Sequence, residues 1–215
     1  MKLKLSTYDH QIQLDIRRTY PQETWFVSHR EQLRYILNTF SILNKAFGYP
    51  QGLNFLAFPL YYVYYNDDPE NADMDTLYSL QTLIHVVLPM YPIDEKDTGA
   101  LFRIRQITNL ICFKCYENEN KLHFLLDTEY EQFMTSMVSN ILPTFFASTF
   151  SLKETIDIWD KLFKKNTLKN VLEGLVEMTA DAITYHKNIF IYLPIHTAME
   201  VFHVVLRQSA VSMLK

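Results

Sequence analysis

Apolar residues recur three or four positions apart along most of the chain, a spacing that places them on one face of a helix. The clearest case follows Ser28, where Leu33, Ile36, Leu37 and Phe40 share one predicted face. No segment shows the strict apolar–polar alternation that is typical of a half-buried strand. The pattern therefore predicts an all-α protein with about nine or ten helices.

The predicted helices follow one another with short breaks. They lie near residues 11–19, 29–46, 53–65, 77–87, 98–116, 121–137 and 140–150, and three more begin at Ser151, Thr167 and Leu193. Two capping boxes, Ser28 to Glu31 and Ser151 to Glu154, predict helix starts. Pro59 stands inside the most apolar of these helices and is expected to kink or divide it.

Composition supports helices and limits the possible classes of protein. The chain has 215 residues, of which 48% are hydrophobic, enough to bury the core of one domain or of two closely apposed lobes. Only 4 glycines are present, whereas β-sandwiches and doubly wound folds need glycine in their turns. Neither glycine-rich phosphate-binding motif occurs, so the usual routes to direct nucleotide binding are excluded.

Charge and cysteine content argue against several other functions. The net charge is −4 and no block of lysine and arginine is present, so no nucleic-acid partner is expected. Cys112 and Cys115 lie in an apolar helical pattern without a second ligand pair, which favours packed thiols in a reducing, cytosolic setting over zinc or a redox pair. No histidine spacing indicates a metal site. The longest apolar run, Phe55–Tyr65, is too short to cross a bilayer.

A polar turn, Gly48 to Gly52, leads directly into the apolar helix that begins near Leu53. Gln51 lies in this turn, next to a helix N-terminus whose free N–H groups and dipole favour anions such as phosphate. The alternative is a simple corner between two helices with Gln51 as an exposed turn residue. The turn by itself favours that alternative, because short motifs often match by chance.

A second motif near the N-terminus changes this balance. It reads Ile12-x-x-Asp15-x-x-Arg18-Thr19-x-Pro21, and the later motif reads Tyr49-x-Gln51-Gly52-x-Asn54. On a helix Asp15 and Arg18 share a face and can pair. An ordinary surface ion pair is the alternative, and Arg17 is an equally charged neighbour.

The two motifs in this order resemble the TBC domain, the GTPase-activating module that acts on Rab-family GTPases. A third stretch agrees, because Phe145–Phe150 followed by Ile158-Trp159-Asp160 looks like the third signature of that family. The resemblance extends from about Ile12 to Leu175. It implies a single all-helical domain over residues 1–215 with two lobes in a V, approximately 1–118 and 119–215.

The resemblance implies a mechanism with two catalytic residues, Arg18 and Gln51. Arg18 would neutralise charge that develops on the transferred phosphoryl group, and Gln51 would position the attacking water in place of the GTPase's own glutamine. Asp15 and Tyr49 would hold them, with Gly52 and Asn54 completing the second motif. The protein would not be an enzyme by itself and would need no metal or cofactor of its own, because GTP and Mg²⁺ belong to the partner.

By the same resemblance the partner is a Rab-family small GTPase in its GTP-bound form, in vesicle trafficking. The protein is then expected in the cytoplasm, at endomembranes only through this partner. Three features depart from the family pattern: Asp157 replaces a usual arginine, Leu53 replaces the commoner methionine, and only eleven residues precede Ile12. The chain is therefore expected to be a compact or a truncated version. A catalytically inactive helical module that binds a GTPase or another partner remains the alternative.

Overall fold

The structure, a computed structural model, describes residues 5–90, 98–164 and 167–208. These ranges contain helices and turns and no strand, which confirms the all-α class. Nine of the α-helices have ten or more residues, close to the predicted number. The eleven α-helices within the described ranges are α1 (Asp9–Arg18), α2 (Thr24–Ser28), α3 (Arg30–Leu43), α4 (Leu53–Asp67), α5 (Ala72–Val87), α6 (Thr98–Asn118), α7 (Thr128–Ile141), α8 (Leu152–Phe163), α9 (Leu168–Tyr185), α10 (Lys187–Tyr192) and α11 (Ile195–Gln208).

One of the two predicted capping boxes is present. The Ser151 hydroxyl accepts a hydrogen bond from the Glu154 N–H, and the Glu154 carboxylate accepts one from the Ser151 N–H, which confirms the start of α8. The box at Ser28 was a wrong prediction. Ser28 ends the short helix α2 and its hydroxyl donates to the Trp25 carbonyl at 2.7 Å, so α3 begins instead at Arg30.

Two predicted helices between residues 120 and 150 need correction. Residues Asn120–Leu126 form a 3₁₀-helix before α7, rather than the first part of an α-helix. The predicted helix over 140–150 is wrong, because α7 ends at Ile141 and only a short 3₁₀ segment, Leu142–Thr144, follows. Phe145 and Phe146 have positive φ angles of 48° and 67°, and this left-handed backbone ends the helical path.

Helix α4 forms the centre of the first part of the chain. It continues through Pro59 as one helix, so the proline does not divide it. Its apolar residues are buried on most sides, as the even distribution of hydrophobic positions predicts. It packs against α1, α3 and α5, and α1 also packs against α3. These contacts bring the helices that carry the two motifs together.

By its internal contacts the chain forms two compact units, Met1–Ile93 and Asp94–Lys215. In the second unit α6 packs against α7, α9 and the 3₁₀-helix Asn120–Leu126. The predicted first lobe, 1–118, included α6. The contacts of α6 group this helix with the helices that follow it. Both proposed catalytic residues and their supporting residues lie in the first unit.

The buried side chains of the second unit agree with the sequence-based interpretation. Cys112 and Cys115 are free and buried, and burial raises the pKa of each thiol to about 12. A thiol with so high a pKa is protonated at neutral pH, and a protonated thiol is a poor nucleophile. Among the helices in the described ranges, none combines the length and the apolar character that crossing a membrane requires.

Candidate functional site

Helix α1 presents Asp15 to the interior and Arg18 to solvent. Ile12 and Ile16 are buried, and Asp15 lies three residues after the first and directly before the second, so it shares their inward face. Arg18 is the last residue of α1, and its side chain is 58% exposed, whereas that of Asp15 is 1% exposed. The first motif therefore places a carboxylate inside the unit and a guanidinium at its surface.

The turn between α3 and α4 positions Gln51. Gly48 donates its N–H to the Asn44 carbonyl at 2.7 Å, and Gly52 is the N-cap of α4. Both glycines have positive φ angles, 62° and 98°, a backbone region that most other residues avoid. Tyr49 is buried between them, whereas Gln51 is exposed. The turn thus directs the tyrosine inward and leaves the glutamine at the surface.

The carboxylate of Asp15 joins the two motifs. Its Oδ1 pairs with Nη2 of Arg18 and accepts a hydrogen bond from Nε2 of Gln11 at 3.0 Å. Its Oδ2 accepts a hydrogen bond from the Tyr49 hydroxyl at 3.0 Å. A buried carboxylate is tolerated only when it is paired and hydrogen-bonded, and this one meets both conditions. The pair is therefore not an ordinary surface ion pair.

A second chain of hydrogen bonds runs beside the first. Asn54 donates from Nδ2 to the Thr19 hydroxyl oxygen at 2.5 Å, and Thr19 donates that hydroxyl to the Asp15 carbonyl at 2.6 Å. The Tyr49 hydroxyl lies 3.3 Å from Oδ1 of Asn54. Asn54 and Thr19 are both buried. The start of α4 is thus tied to the end of α1 by side chains of both motifs.

Arg18 and Gln51 are both exposed, Arg18 at the edge of this network and Gln51 two residues after its Tyr49. The Arg18 side chain remains more than half exposed while it pairs with Asp15. Within the described residues, no group forms a hydrogen bond with the Gln51 side chain. Arg17, the neighbour that sequence alone cannot distinguish, is also exposed but pairs with no described carboxylate. The surface here therefore presents a paired guanidinium and, among the described residues, a carboxamide without a hydrogen-bond partner.

Comparison with known proteins places the chain in a family. A model of the Rab-GTPase-TBC domain matches residues 1–184. The chain belongs to the Rab-GTPase-TBC domain family. It is also similar to TBC1 domain family member 13 of Homo sapiens, with 28% identity over 149 residues that cover 63% of this chain and 34% of that protein. The protein of the same name from Mus musculus is 27% identical over the same length. The chain thus spans about a third of the length of these curated relatives.

Two side chains of this network, Gln11 and Thr19, had no role assigned from the sequence, although Thr19 belongs to the first motif. Gln11 lies four residues before Asp15, a spacing at which glutamine and aspartate side chains meet on a helix. Thr19 lies four residues after Asp15, and a threonine hydroxyl often bonds the carbonyl four residues earlier. Both spacings were visible signals. What they could not indicate is that Asn54 of the other motif reaches the same threonine.

The third TBC signature lies in the second unit and is structural. Trp159 is buried and donates its Nε1–H to the Phe145 carbonyl at 2.9 Å, which fixes the left-handed turn before α8. Asp157, where the family usually has arginine, is half-buried and forms no ion pair with any residue that the structure describes.

Across the described residues no group of three or more histidine, cysteine, aspartate or glutamate side chains is arranged to hold a metal ion.

Proposed function

We propose that this TBC domain stimulates GTP hydrolysis by a Rab-family small GTPase, and that Arg18 and Gln51 are the residues it adds to the partner's active site. The observation that supports this most is the buried Asp15 carboxylate, which contacts both Arg18 and the Tyr49 of the glutamine turn. A module that only binds a partner has no need to tie an exposed arginine to the turn that carries the exposed Gln51 through one buried group.

The chemistry of phosphoryl transfer suits this arrangement. The reaction needs positioning and stabilisation of charge far more than covalent catalysis, and a guanidinium offers a rigid fork of five N–H donors. Asp15 engages one of the terminal nitrogens of Arg18, and the rest of the group is available to oxygens of the transferred phosphoryl. The ion pair also limits the rotamers of Arg18, so less conformational entropy is lost when the partner binds.

Gln51 supplies the second function, which is to position the attacking water. A carboxamide can accept a hydrogen bond from a water molecule and donate one to a neighbouring oxygen. The buried Tyr49 and the two flanking glycines define the backbone on which Gln51 is presented. The nucleotide and Mg²⁺ belong to the GTPase, so the protein acts as an activator in trans, and its place at endomembranes in the cytoplasm follows from its partner.

Single-turnover GTP hydrolysis by a panel of Rab-family GTPases tests the proposal. The wild-type protein should accelerate hydrolysis by at least one member, and Arg18→Ala should lower the stimulated rate by about 10³-fold or more. Arg17→Ala is the matched control, because it removes an adjacent exposed arginine that holds no described partner. Gln51→Ala should also be severely impaired.

The binding-only alternative gives a different result in the same experiment. It predicts a wild-type protein that binds a GTP-loaded GTPase without accelerating hydrolysis by any member of the panel. Near-normal stimulation by Arg18→Ala would assign the charge-stabilising role to another residue. Normal stimulation by Gln51→Ala would do the same for the positioning of water.

A further inference from the structure

A second polar cluster lies at the opposite end of α1, between its first turn and α3. The Asp9 carboxylate accepts a hydrogen bond from Nε of Arg34 at 2.7 Å on Oδ1 and one from Nη2 at 2.8 Å on Oδ2. The Asp9 and Arg34 side chains are only 14% and 20% exposed. This two-point contact fixes the orientation of both groups as well as their distance.

The surrounding side chains complete the cluster. Asn38 is fully buried and donates from Nδ2 to Asp9 at 2.9 Å, and its Oδ1 accepts hydrogen bonds from the Ser6 N–H and hydroxyl at 2.8 Å and 2.9 Å. Gln13 donates to the other Asp9 oxygen at 2.8 Å. The Arg34 guanidinium keeps the pKa of Asp9 well below its usual range, so the carboxylate is charged at any ordinary pH.

The position of this cluster relates it to the proposed catalytic residues. Asp9 begins α1 and Arg18 ends it, so the two lie about 13 Å apart along the helix axis. α3, which carries Arg34, leads into the turn that holds Gln51. The cluster at Asp9 and the network at Asp15 therefore fix α1 at both ends, against the helix before the turn and against the turn itself.

We infer that Asp9 and Arg34 are a positioning pair for Arg18, one that sets the direction of α1 and through it the place of the guanidinium in the partner's active site. This inference rests on the proposed function. Apolar packing of Ile12 and Ile16 also holds α1. Without the polar contacts at Asp9 the helix can still tilt about Asp15, and such a tilt displaces Arg18. Stabilisation of a transition state is sensitive to such displacements, whereas docking of the partner is much less so.

The test is single-turnover hydrolysis by a GTPase that the wild-type protein stimulates, measured over a range of TBC protein concentrations. Arg34→Met should lower the maximum rate by about 10- to 100-fold and leave the half-saturating concentration unchanged. Arg34→Lys keeps the positive charge but loses the two-point contact with Asp9, so its maximum rate should lie between those of wild type and Arg34→Met. Arg30→Met is the matched control on α3, because Arg30 pairs with no described carboxylate. Glu31→Gln is a second control, because Glu31 touches Arg34 but is 82% exposed.

A purely structural role gives a different pattern. Partial unfolding removes active molecules, which raises the apparent half-saturating concentration and leaves the maximum rate at saturation unchanged. That pattern, or a wild-type maximum rate for Arg34→Met, overturns the inference. Should Arg34→Met fail to fold by circular dichroism, Asp9→Asn is subject to the same criteria, since it is nearly isosteric and breaks the two-point contact by replacing one acceptor oxygen with an NH2 group.

Arg18→Ala, measured beside these variants, separates this inference from the proposed function. Loss of stimulation by Arg18→Ala together with full activity of Arg34→Met and Asp9→Asn rejects the positioning pair alone. A wild-type protein that stimulates no GTPase rejects the proposed function and with it the inference.

Discussion

The Asp15 carboxylate is almost fully buried, yet its ion-pair partner Arg18 is largely exposed. An isolated buried charge would cost several kcal/mol, and the Tyr49 and Gln11 hydrogen bonds offset part of that cost. The same bonds fix the carboxylate in place, so the position of Arg18 depends on residues of the other motif. At the scale of single residues, stability and proposed function therefore share the same side chains.

Tyr49→Phe tests this dependence. The substitution removes the hydroxyl that donates to Oδ2 of Asp15 and leaves the ring in place. We expect the free energy of unfolding to fall by about 1.5–3 kcal/mol, as for other hydrogen bonds to charged groups, measured by urea denaturation. Tyr35→Phe on the exposed face of α3 is the control and should change stability little. Equal stability of wild type and Tyr49→Phe would mean that the hydroxyl contributes nothing to holding Asp15.

At the scale of elements, the start of α4 depends on a backbone conformation that few residues adopt. Gly52 has φ 98° and ψ −8° and is followed directly by the buried first turn of the helix. A branched side chain is strongly disfavoured in the left-handed region, whereas asparagine is tolerated there more often.

Substitution of Gly52 should therefore depend on the replacing residue. Gly52→Val should lower the free energy of unfolding by at least about 1–2 kcal/mol and reduce stimulated hydrolysis, because the strain falls next to Gln51. Gly52→Asn should retain more of both. Thermal unfolding and single-turnover hydrolysis of the two variants provide the comparison. Indistinguishable variants would show that the turn accommodates either residue by moving.

The elements also show which features a sequence pattern can predict. Local signals were sufficient where one interaction decides the outcome, as at the Ser151 capping box. They failed at Ser28, where the same Ser-x-x-Glu spacing is overridden by the packing of the short α2. They also failed at residues 140–150, where buried Phe145 and Phe146 take left-handed conformations. The motifs indicated the residues of the candidate site. Which helix faces meet, and hence the contact between Asn54 and Thr19, depends on tertiary packing that spacing does not encode.

At the scale of the whole molecule, the buried thiols couple folding to pH. Burial raises the pKa of Cys112 and Cys115 to about 12, whereas an unfolded cysteine has a pKa of about 8.5. Between these values the unfolded chain loses protons that the folded chain keeps. The free energy of unfolding should therefore fall as pH rises above about 8.5, by up to about 1.4 kcal/mol per pH unit for each thiol.

Urea unfolding of wild type and of the Cys112→Ala, Cys115→Ala double variant, at several pH values from about 8 to 10, measures this contribution. The wild-type free energy of unfolding should decline more steeply with pH than that of the double variant, because all other titrating groups are common to both. Parallel pH profiles would mean that the folded thiols ionise as freely as the unfolded ones.

The proposed mechanism requires the first unit to add a glutamine as well as an arginine to the active site of another protein. The most direct test uses a responsive Rab-family GTPase whose own water-positioning glutamine has been replaced by leucine. In single-turnover assays the wild-type TBC domain should still accelerate GTP hydrolysis by this GTPase, and Gln51→Ala should not. Stimulation of the normal GTPase without any stimulation of the leucine variant would contradict the account, because the partner's glutamine would then be the residue that positions the water.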